Sequence, residues 1–530
     1  MSRRFVCVVL SFVAAALSIG GGSATAQSQC PPVTSIQFPV DPAEFRLMQD
    51  FAVPSSRHQG RFHTGEDWYG GRGSSLGAEV RAIAAGRVTF SSPNGWGRDG
   101  GVIILEHQMP DGSIAYSQYG HIAEGNGVVF PATLSCVNGG DVIARVGDAR
   151  PAPHLHFEIR VQNPDTPGAG YTWDDPTNIG LRRPSKFLYN WQTWLMSEGA
   201  NGRSPVAWTA DLADESAPNA PPITLRGGGM IVLDGDRVIN LSYDGRVLWR
   251  VNLDQAAVGL IPFADAAAVI YASGGVRQIN PDGSLGEAWS LGTGVDSAPM
   301  HVDGRGLLLF HTPNNELIAA DEGARSILWR IRDVNPVRRY AFARDVGGVV
   351  TNDNRVITFD YDGTLVDEAR LREAGALFGS AESDLLAYTR GGFWSITPAG
   401  EWVMIHSNVP PGGESAAIWR EIDAFYLFDG TALRGYSMDG SVRWQVDLPG
   451  WAGDVRMSAS PARDFLILTS SYGEIAVVRT SDGAVCNTAH IYGDRRSRVW
   501  HELGEDQVLR VYVADQVLGL DWGRFLLGCG

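Results

Sequence analysis

The C-terminal part of the chain repeats itself about every 40 residues. Each unit contains an apolar run, a polar tight turn, a second run of alternating polarity and a turn that ends in glycine. The turn glycines are separated by 38, 40, 40, 37, 40, 43 and 40 residues: Gly245, Gly283, Gly323, Gly363, Gly400, Gly440, Gly483 and Gly523. Four short strands in each such unit are typical of propeller blades. We therefore expect a β-propeller over residues 223–530, with eight blades, or seven if the terminal unit is only a cap.

Several units continue from the glycine turn into a strand that contains tryptophan. These are Trp249, Trp289, Trp329, Trp402 and Trp444. An Asp-Gly turn followed by such a strand resembles the repeat of quinoprotein-type (PQQ-type) propellers, and that resemblance raises a quinone-dependent oxidoreductase as a rival function. The sequence offers neither a clustered acidic metal site nor an adjacent cysteine pair for it. We therefore expect no bound quinone.

The length and composition favour several all-β domains. A chain of 530 residues exceeds the size of one hydrophobic core, and its 64 glycines are typical of a turn-rich protein. Residues 27–190 carry short β-rich runs and are expected to form a second domain, with a short closing helix over 186–196. Residues 191–222 are rich in small and polar residues, lack periodicity and are expected to be a linker.

The N-terminus has the pattern of an export signal. Arg3 and Arg4 precede the apolar stretch 5–19, and Ala24-Thr-Ala26 is a small-residue cleavage site. We expect a signal peptide over 1–26, general secretion, and a periplasmic or secreted protein without an integral membrane segment. Cleavage leaves 41 basic and 59 acidic side chains, a net charge of −18. That charge argues against nucleic acid as a partner.

Cleavage would also remove Cys7 and leave four cysteines. An even number in an exported protein favours disulfides, although three connectivities exist for four cysteines. Cys30 and Cys136 lie in the first domain, and Cys486 and Cys529 lie at the end of the repeats. We predict these two pairs; the alternative is that some of the cysteines are free and buried.

Five residues of the first domain carry the candidate chemistry: His63, Asp67, His121, His154 and His156. Imidazole and carboxylate groups are zinc ligands, and a zinc ion with three protein ligands can activate water for amide hydrolysis. Side chains two apart on a strand share a face, so His154 and His156 can reach one site. Gly65 lies between His63 and Asp67, and we expect a strand-to-loop bend to bring those two together.

The flanking residues extend the pattern. They form the segments Arg61-Phe-His-Thr-Gly-Glu-Asp67, Tyr119-Gly-His-Ile122 and His154-Leu-His-Phe-Glu-Ile-Arg160. In this order they resemble the lysostaphin/LytM-type metallopeptidases of family M23, over about residues 45–160. The resemblance implies a small two-sheet peptidase domain.

By the same resemblance, His63, Asp67 and His156 would be the ligands of a zinc ion (Zn²⁺), and His121 and His154 would be the catalytic histidines. These two would activate water and stabilise the oxyanion, and the sequence leaves open which of them is the base. Neutral imidazoles beside a metal-activated water suit proton transfer near pH 7.

The sequence departs from the family pattern at two places. The strand that carries His154 and His156 is usually entered through a glycine-rich turn, whereas here Pro151 and Pro153 stiffen the approach. The loop from 120 to 136 is also longer than is typical. Neither change removes one of the five residues, and the first is expected to alter the substrate groove.

Other polar residues near the motifs receive smaller roles. We expect His107 to be structural or to support the site, and His58 to have no role. His501 begins a His-Glu pattern that lacks a second histidine and is not a metal site. Glu158 is expected to face away from the site or to support it.

Together these features predict an exported zinc endopeptidase that acts on peptide cross-links or stems of peptidoglycan. The propeller would dock a partner protein or the cell wall, or restrain access to the active site. The alternative is a non-catalytic or auto-inhibited activator or scaffold of other wall hydrolases, against which the complete set of five residues argues.

Overall fold

The computed structural model of the chain describes residues 30–162, 165–196, 204–212, 220–225, 227–302, 304–371, 375–380, 383–389, 392–407, 416–421, 423–493, 498–526 and 529. The predicted signal peptide, residues 1–26, lies outside the described residues. No helix in the described part of the chain has the length and apolar character needed to cross a membrane. Strands dominate both halves of the chain, as predicted for an all-β protein.

The first domain contains two sheets. Its strands are β1 (Arg46–Gln49), β2 (Pro54–Ser55), β3 (Arg61–His63), β4 (Glu66–Tyr69), β5 (Glu79–Arg81), β6 (Gly86–Ser92), β7 (Gly101–Gln108), β8 (Ile114–Ala123), β9 (Cys136–Val137), β10 (Val142–Val146), β11 (Leu155–Arg160), β12 (Tyr171–Thr172) and β13 (Leu181–Arg182). The larger sheet has the order β1-β4-β11-β8-β7-β6-β9, with β10 joined to β8 and β5, and β13 joined to β11. The smaller sheet has the order β12-β3-β2. Short 3-10 helices span Ser56–His58, Gly97–Asp99 and Pro176–Ile179.

The core of this domain lies on one face of the larger sheet. Ile103, Leu105, Tyr119 and Phe157 are fully buried there, and they belong to neighbouring strands of the sheet centre. Burying such side chains is the main favourable contribution to folding. The disulfide between Cys30 and Cys136 joins the N-terminal segment to β9, which confirms the first predicted pair.

A helix, α1 (Pro184–Leu195), closes the domain close to the predicted position. Pro184 stands in its first turn, where a missing amide hydrogen costs nothing. The carboxylate of Glu66 accepts hydrogen bonds from the Ser185 amide at 3.1 Å and from its hydroxyl at 2.6 Å. A carboxylate at this end of a helix accepts hydrogen bonds from otherwise unpaired amides and is stabilised by the helix dipole. Leu188 packs into the domain core and is fully buried.

The rest of the described chain forms eight four-stranded antiparallel sheets. Their strands are β14 (Val206–Asp211), β15 (Ile223–Thr224), β16 (Met230–Asp234), β17 (Arg237–Leu241), β18 (Val247–Asn252), β19 (Ala257–Phe263), β20 (Ala266–Tyr271), β21 (Gly275–Ile279), β22 (Leu285–Ser290), β23 (Met300–Val302), β24 (Leu307–His311), β25 (Glu316–Asp321), β26 (Ile327–Arg332), β27 (Val337–Phe342), β28 (Val346–Thr351), β29 (Arg355–Asp360), β30 (Leu365–Arg370), β31 (Ala376–Phe378), β32 (Leu385–Thr389), β33 (Gly392–Ile396), β34 (Trp402–Ser407), β35 (Ala417–Arg420), β36 (Ala424–Phe428), β37 (Ala432–Ser437), β38 (Val442–Asp447), β39 (Val455–Ala459), β40 (Phe465–Ser470), β41 (Glu474–Arg479), β42 (Val485–His490), β43 (Val499–Leu503), β44 (Val508–Val513) and β45 (Gln516–Asp521). A short helix, α2 (Trp522–Phe525), follows.

Consecutive groups of four strands from β15 to β42 form blades 1 to 7. Blade 8 combines β43, β44 and β45 with β14, which comes from the opposite end of the propeller sequence. The protein therefore has an eight-bladed propeller, and the terminal unit is a blade rather than a cap. The disulfide between Cys486 and Cys529 fastens the chain end to β42 and confirms the second predicted pair.

The predicted linker, residues 191–222, differs from the structure. Residues 191–195 belong to α1, and β14 pairs with β45 from Val206↔Leu520 to Asp211↔Gln516. One isolated strand has no repeat of its own, and its partner lies some 300 residues later, so composition alone suggested a loop. A signal did exist, since Trp208 precedes Trp249 by about one repeat length, 41 residues.

Tryptophans of several outer strands join their blade to the next one. The indole nitrogen of Trp249 donates to the carbonyl of Pro281 at 2.8 Å, and that of Trp329 donates to Tyr361 at 3.0 Å. Both acceptors lie in the glycine turn of the following blade. Trp208 reaches the turn of blade 1, where a Cβ on Gly245 would lie 2.4 Å from its ring. Gly245 also has a φ of +77°, so this turn favours glycine for two reasons.

Helix α1 also contacts the propeller. Asn190 donates to Gln516 at 2.7 Å, and the Thr193 hydroxyl donates to the carbonyl of His490 at 2.9 Å. The ring of Tyr189 stacks on that of His490 with a 4.0 Å centroid distance. Lys186 lies 3.0 Å from carboxylate oxygens of both Asp211 and Asp515 in blade 8. One helix thus packs on the core of the first domain and on the closing part of the propeller.

Replacing Trp208 with alanine should destabilise the propeller, because it removes a half-buried ring from the junction of blades 8 and 1. We expect a loss of about 2 kcal/mol in the free energy of unfolding, measured by urea denaturation followed by far-ultraviolet circular dichroism. Leu248→Ala is the control, since Leu248 lies on the outer strand of blade 1 with 61% of its surface exposed. Equal stability of the two variants would contradict this role of Trp208.

Candidate functional site

The pairing of β11 with two neighbours assembles the site. In β11, His156 lies opposite Asp67 of β4 on one side and opposite Gly120 of β8 on the other. His63 stands at the end of β3, where the chain bends towards β4, as the sequence predicted. The three polar side chains are almost fully buried, with exposures of 0% for His63, 4% for Asp67 and 2% for His156.

Three ligand atoms converge in this buried position. The distances are 3.0 Å from His63 Nε2 to His156 Nδ1, 2.9 Å from His156 Nδ1 to Asp67 Oδ1, and 3.2 Å from His63 Nε2 to Asp67 Oδ1. Ligands of a tetrahedral zinc ion with bonds of about 2.0–2.1 Å stand about 3.3 Å apart. The trio therefore fits a metal ion of that size and supplies three of the four ligands of a tetrahedral site.

Hydrogen bonds on the far side of each imidazole fix its orientation. His63 Nδ1 lies 3.0 Å from the carbonyl oxygen of Asp50, and His156 Nε2 lies 2.9 Å from Glu158 Oε1. Each of these oxygens accepts a hydrogen bond, so the opposite nitrogen can offer its lone pair to a cation. Such carbonyl or carboxylate partners of ligating histidines set ring orientation and raise ligand basicity.

Glu158 lies on the same face of β11 as His156 and supports it, one of the two alternatives left by the sequence. It is fully buried and accepts hydrogen bonds from Thr64 at 2.6 Å and from Arg160 at 2.7 Å. Burial alone would raise the pKa of Glu158, but the Arg160 guanidinium and the hydrogen bonds from His156 and Thr64 hold it at about 2. The carboxylate is therefore charged throughout the neutral range.

The two carboxylates beside His156 favour a positive charge in this position. Burial alone would lower the pKa of His156, but its hydrogen bonds with Asp67 and Glu158 outweigh burial and raise it to about 9. Burial alone would likewise raise the pKa of Asp67, but hydrogen bonds with His156 and His63 hold it well below its usual range. The negative charge of Asp67 is thus available to a cation at neutral pH.

His121 and His154 stand beside the trio. Their ring centroids lie 4.6 Å apart, and His154 Nε2 lies 3.5 Å from Asp67 Oδ2. In each ring Nδ1 donates to a carbonyl oxygen, that of Asp99 for His121 and that of Ala152 for His154, both at 2.7 Å. Ala152 stands between Pro151 and Pro153, so the proline-stiffened approach orients His154.

Burial lowers the pKa of His121 to about 4 and also lowers that of His154. Both rings are therefore neutral near pH 7 and keep an unprotonated Nε2. That form suits a group that accepts a proton from water.

Three further histidines that the sequence raised as candidates lie outside the group of five. His107 is buried, and its ring nitrogens lie 2.9 Å from the carbonyl of Ala85 and 2.7 Å from the hydroxyl of Ser117, so it braces the core. His501 lies in the propeller and bonds Ser458 and Thr469, both at 2.7 Å. His58 does reach the surroundings of the site, because its ring stacks on Tyr171 at 3.6 Å.

Two aromatic residues beside the site escaped the sequence analysis. The Trp96 ring lies 4.9 Å from that of His121 and 5.2 Å from that of His156, and its nitrogen donates to the Gly168 carbonyl at 2.6 Å. The Tyr171 ring lies 5.2 Å from that of His63. Trp96 stands between two glycines in the sequence, a signal that could have singled it out; nothing in the sequence around Tyr171 does so.

The fold and the site define an all-β domain with a candidate metal centre, joined to an eight-bladed β-propeller. A comparison with family models assigns the first domain: residues 61–167 match Peptidase family M23. The chain thus contains an M23 peptidase domain, as the motifs predicted. A comparison with curated proteins found no match to the chain.

Three similar solved structures each match 59% of this chain. BamB from Moraxella catarrhalis is 14% identical, with a TM-score of 0.43, and the match covers 59% of this chain and 99% of BamB. The computationally designed protein Ika8 is 12% identical, with a TM-score of 0.45 and the same coverages of 59% and 99%. Sqt1 from Saccharomyces cerevisiae is 10% identical, with a TM-score of 0.45, and coverages of 59% and 98%. The assignment of the propeller rests on the strand pairing described above.

Replacing Glu158 with glutamine should weaken metal binding about 10- to 100-fold, because the amide cannot supply the charge that orients His156. The measurement is competitive titration of the purified protein with zinc and a chromophoric chelator. Glu44→Gln is the matched control, since Glu44 is exposed and lies outside the site. Equal zinc affinity of the Glu158→Gln variant and the unmodified protein would show that Glu158 does not support the metal centre.

Proposed function

We propose that the protein is a zinc-dependent endopeptidase that hydrolyses amide bonds in the peptide cross-links or stems of peptidoglycan. The observation that carries the proposal is the convergence of His63, Asp67 and His156 with His121 and His154 inside the M23 domain. The export pattern at residues 1–26 and the two disulfides support action in the periplasm or outside the cell.

The proposed ligands are His63, Asp67 and His156, and a zinc ion held by them would supply Lewis acidity towards water and the substrate carbonyl. His121 and His154 would transfer the protons, since each has its Nδ1 hydrogen engaged by a carbonyl, which leaves its Nε2 unprotonated. One of them accepts the proton of the attacking water. A ring that has become protonated can then donate to the oxyanion or to the departing amine.

The propeller is proposed to act as a docking or regulatory module, with a partner protein or the cell wall as its ligand. The contacts of α1 support this role, because the same helix packs on the peptidase core and hydrogen-bonds blades 7 and 8. A ligand bound to the propeller would therefore hold the peptidase domain in a defined position.

A second candidate function is an auto-inhibited or non-catalytic activator of other wall hydrolases. The burial of the metal-binding side chains favours it, because Trp96 lies beside His121 and His156 and is hydrogen-bonded to Gly168. In this alternative, a partner would have to displace Trp96 before a substrate could enter.

The decisive experiment is mass spectrometry of muropeptides released from purified sacculi by residues 27–530, with and without chelator. We expect zinc-dependent loss of cross-linked dimers or shortened stems, and the products identify the cleaved bond. No cleavage by folded, zinc-loaded protein would contradict the endopeptidase and favour the activator.

Two substitutions test the proposed roles of the site residues. His63→Ala should lose both zinc and activity, because it removes a ligand. His121→Ala should lose at least about 100-fold in activity and retain zinc, because it removes only a proton-transfer group. The measurements are metal content by atomic emission and the sacculus assay, and full activity of both variants would show that the roles are wrongly assigned.

A further inference from the structure

The small sheet places an arginine and two aromatic residues beside the candidate metal ligand His63. Tyr171 of β12 lies opposite His63 of β3, and Thr172 lies opposite Phe62. His63 and Arg61 are two apart on β3 and share a face, and Trp173 follows β12 on the same side as Arg61. The Arg61 guanidinium lies 5.9 Å from the centre of the Trp173 ring.

Ring contacts and one hydrogen bond to the backbone connect these residues in a row. The rings of His63 and Tyr171 are 5.2 Å apart, those of Tyr171 and His58 are stacked at 3.6 Å, and Arg61 donates to the carbonyl of His58 at 3.1 Å. The row leads from the candidate metal centre to the surface, where 64% of Trp173 is exposed. Tryptophan and arginine are enriched among the residues that contribute most to binding at protein interfaces.

The chain has a net charge of −16, but this row contains two positively charged side chains, Arg57 and Arg61, while the exposed carboxylates of Asp174 and Asp175 follow Trp173 in the sequence. Arg57 is exposed beside His58, and neither Arg57 nor Arg61 forms an ion pair with a carboxylate of the described residues. Asp175, close to Trp173 in sequence, instead accepts hydrogen bonds from the amide and hydroxyl of Thr177. Two arginines are thus available to an anion from outside.

We propose that Arg61 and Trp173, with Arg57 beside them, form a substrate subsite for a carboxylate two residues from the cleaved amide bond. Residues two apart on a strand are about 6.8 Å apart, so an extended peptide lying along β3 with its scissile carbonyl at the metal centre places that residue against Arg61. The guanidinium forms paired hydrogen bonds to the carboxylate, and the indole packs on its aliphatic stem. This inference rests on the proposed endopeptidase function and specifies its substrate class as acidic peptides.

The test uses the peptide whose bond the muropeptide assay identifies, synthesised with a carboxylate or a carboxamide two residues from that bond, on either side in turn. For one of the two positions we expect kcat/KM to be about 10- to 100-fold higher for the carboxylate. In Arg61→Gln the ratio of the two kcat/KM values should fall close to one. Trp173→Ala, which alters an exposed side chain, should lower the ratio without loss of folding.

Arg246→Gln is the control, because Arg246 is an exposed arginine of the propeller. It should keep the full preference for the carboxylate. Equal turnover of carboxylate and carboxamide peptides by the unmodified protein, or an unchanged ratio in Arg61→Gln, would overturn the proposal.

A binding experiment separates this inference from the proposed function. Calorimetry uses zinc-loaded His121→Ala, which should turn peptides over at least about 100-fold more slowly, and synthetic peptides chosen whether or not they are cleaved. It should show tighter binding of the carboxylate form than of the carboxamide form, and the additional Arg61→Gln substitution should abolish the difference. A preference in binding without any cleavage by the unmodified protein would refute the endopeptidase and leave the subsite standing. Equal binding of both peptides would refute the subsite.

Discussion

The site depends on β11 being hydrogen-bonded on both sides. This strand pairs with β4 and with β8, so His156 is placed beside Asp67 and next to the strand that carries His121. Its alternate residues, among them Phe157, are buried in the domain core and fix the register. A slip of one residue would turn His156 into the core and Phe157 into the site. The register of β11 therefore sets both the packing of the core on one face of the sheet and the geometry of the candidate centre on the other.

The charged side chains on this face of the sheet are also ordered, since neighbours have opposite charges. Asp67, His156, Glu158 and Arg160 alternate in sign, and each is buried within hydrogen-bonding distance of the next. Buried charges are tolerated when they are paired in this way, and removal of one member leaves its neighbour uncompensated. The two carboxylates flanking His156 favour a cation there, whether it is carried by a proton or by a metal ion. The four charged side chains therefore depend on one another.

Much of this arrangement could be predicted from the sequence, and the exceptions have physical reasons. The repeats predicted the propeller because every blade buries similar side chains, and the separation of the cysteines into two regions predicted both disulfides. The strand β14 was missed because its only sheet partner, β45, lies at the other end of the propeller sequence. Trp96, in a loop, and Tyr171, in the two-residue strand β12, were missed because their positions depend on tertiary packing, which neither periodicity nor motif spacing describes. The five candidate site residues could be named from the sequence because few residue types can bind a metal ion or transfer a proton, whatever the packing around them.

The closure of the ring by β14 has a consequence for the order of assembly. β14 leaves the ribosome before every other propeller strand, yet its partner β45 is among the last to appear. Until then β14 has unpaired backbone groups, the condition under which strands associate with the wrong chain. The peptidase domain precedes it and can already be folded, and α1 supplies the residues that later contact blade 8. Lys186 of α1 and Asp211 of β14, which lie 3.0 Å apart, are both synthesised before β45, so the first domain can hold β14 near its final position while the blades are completed.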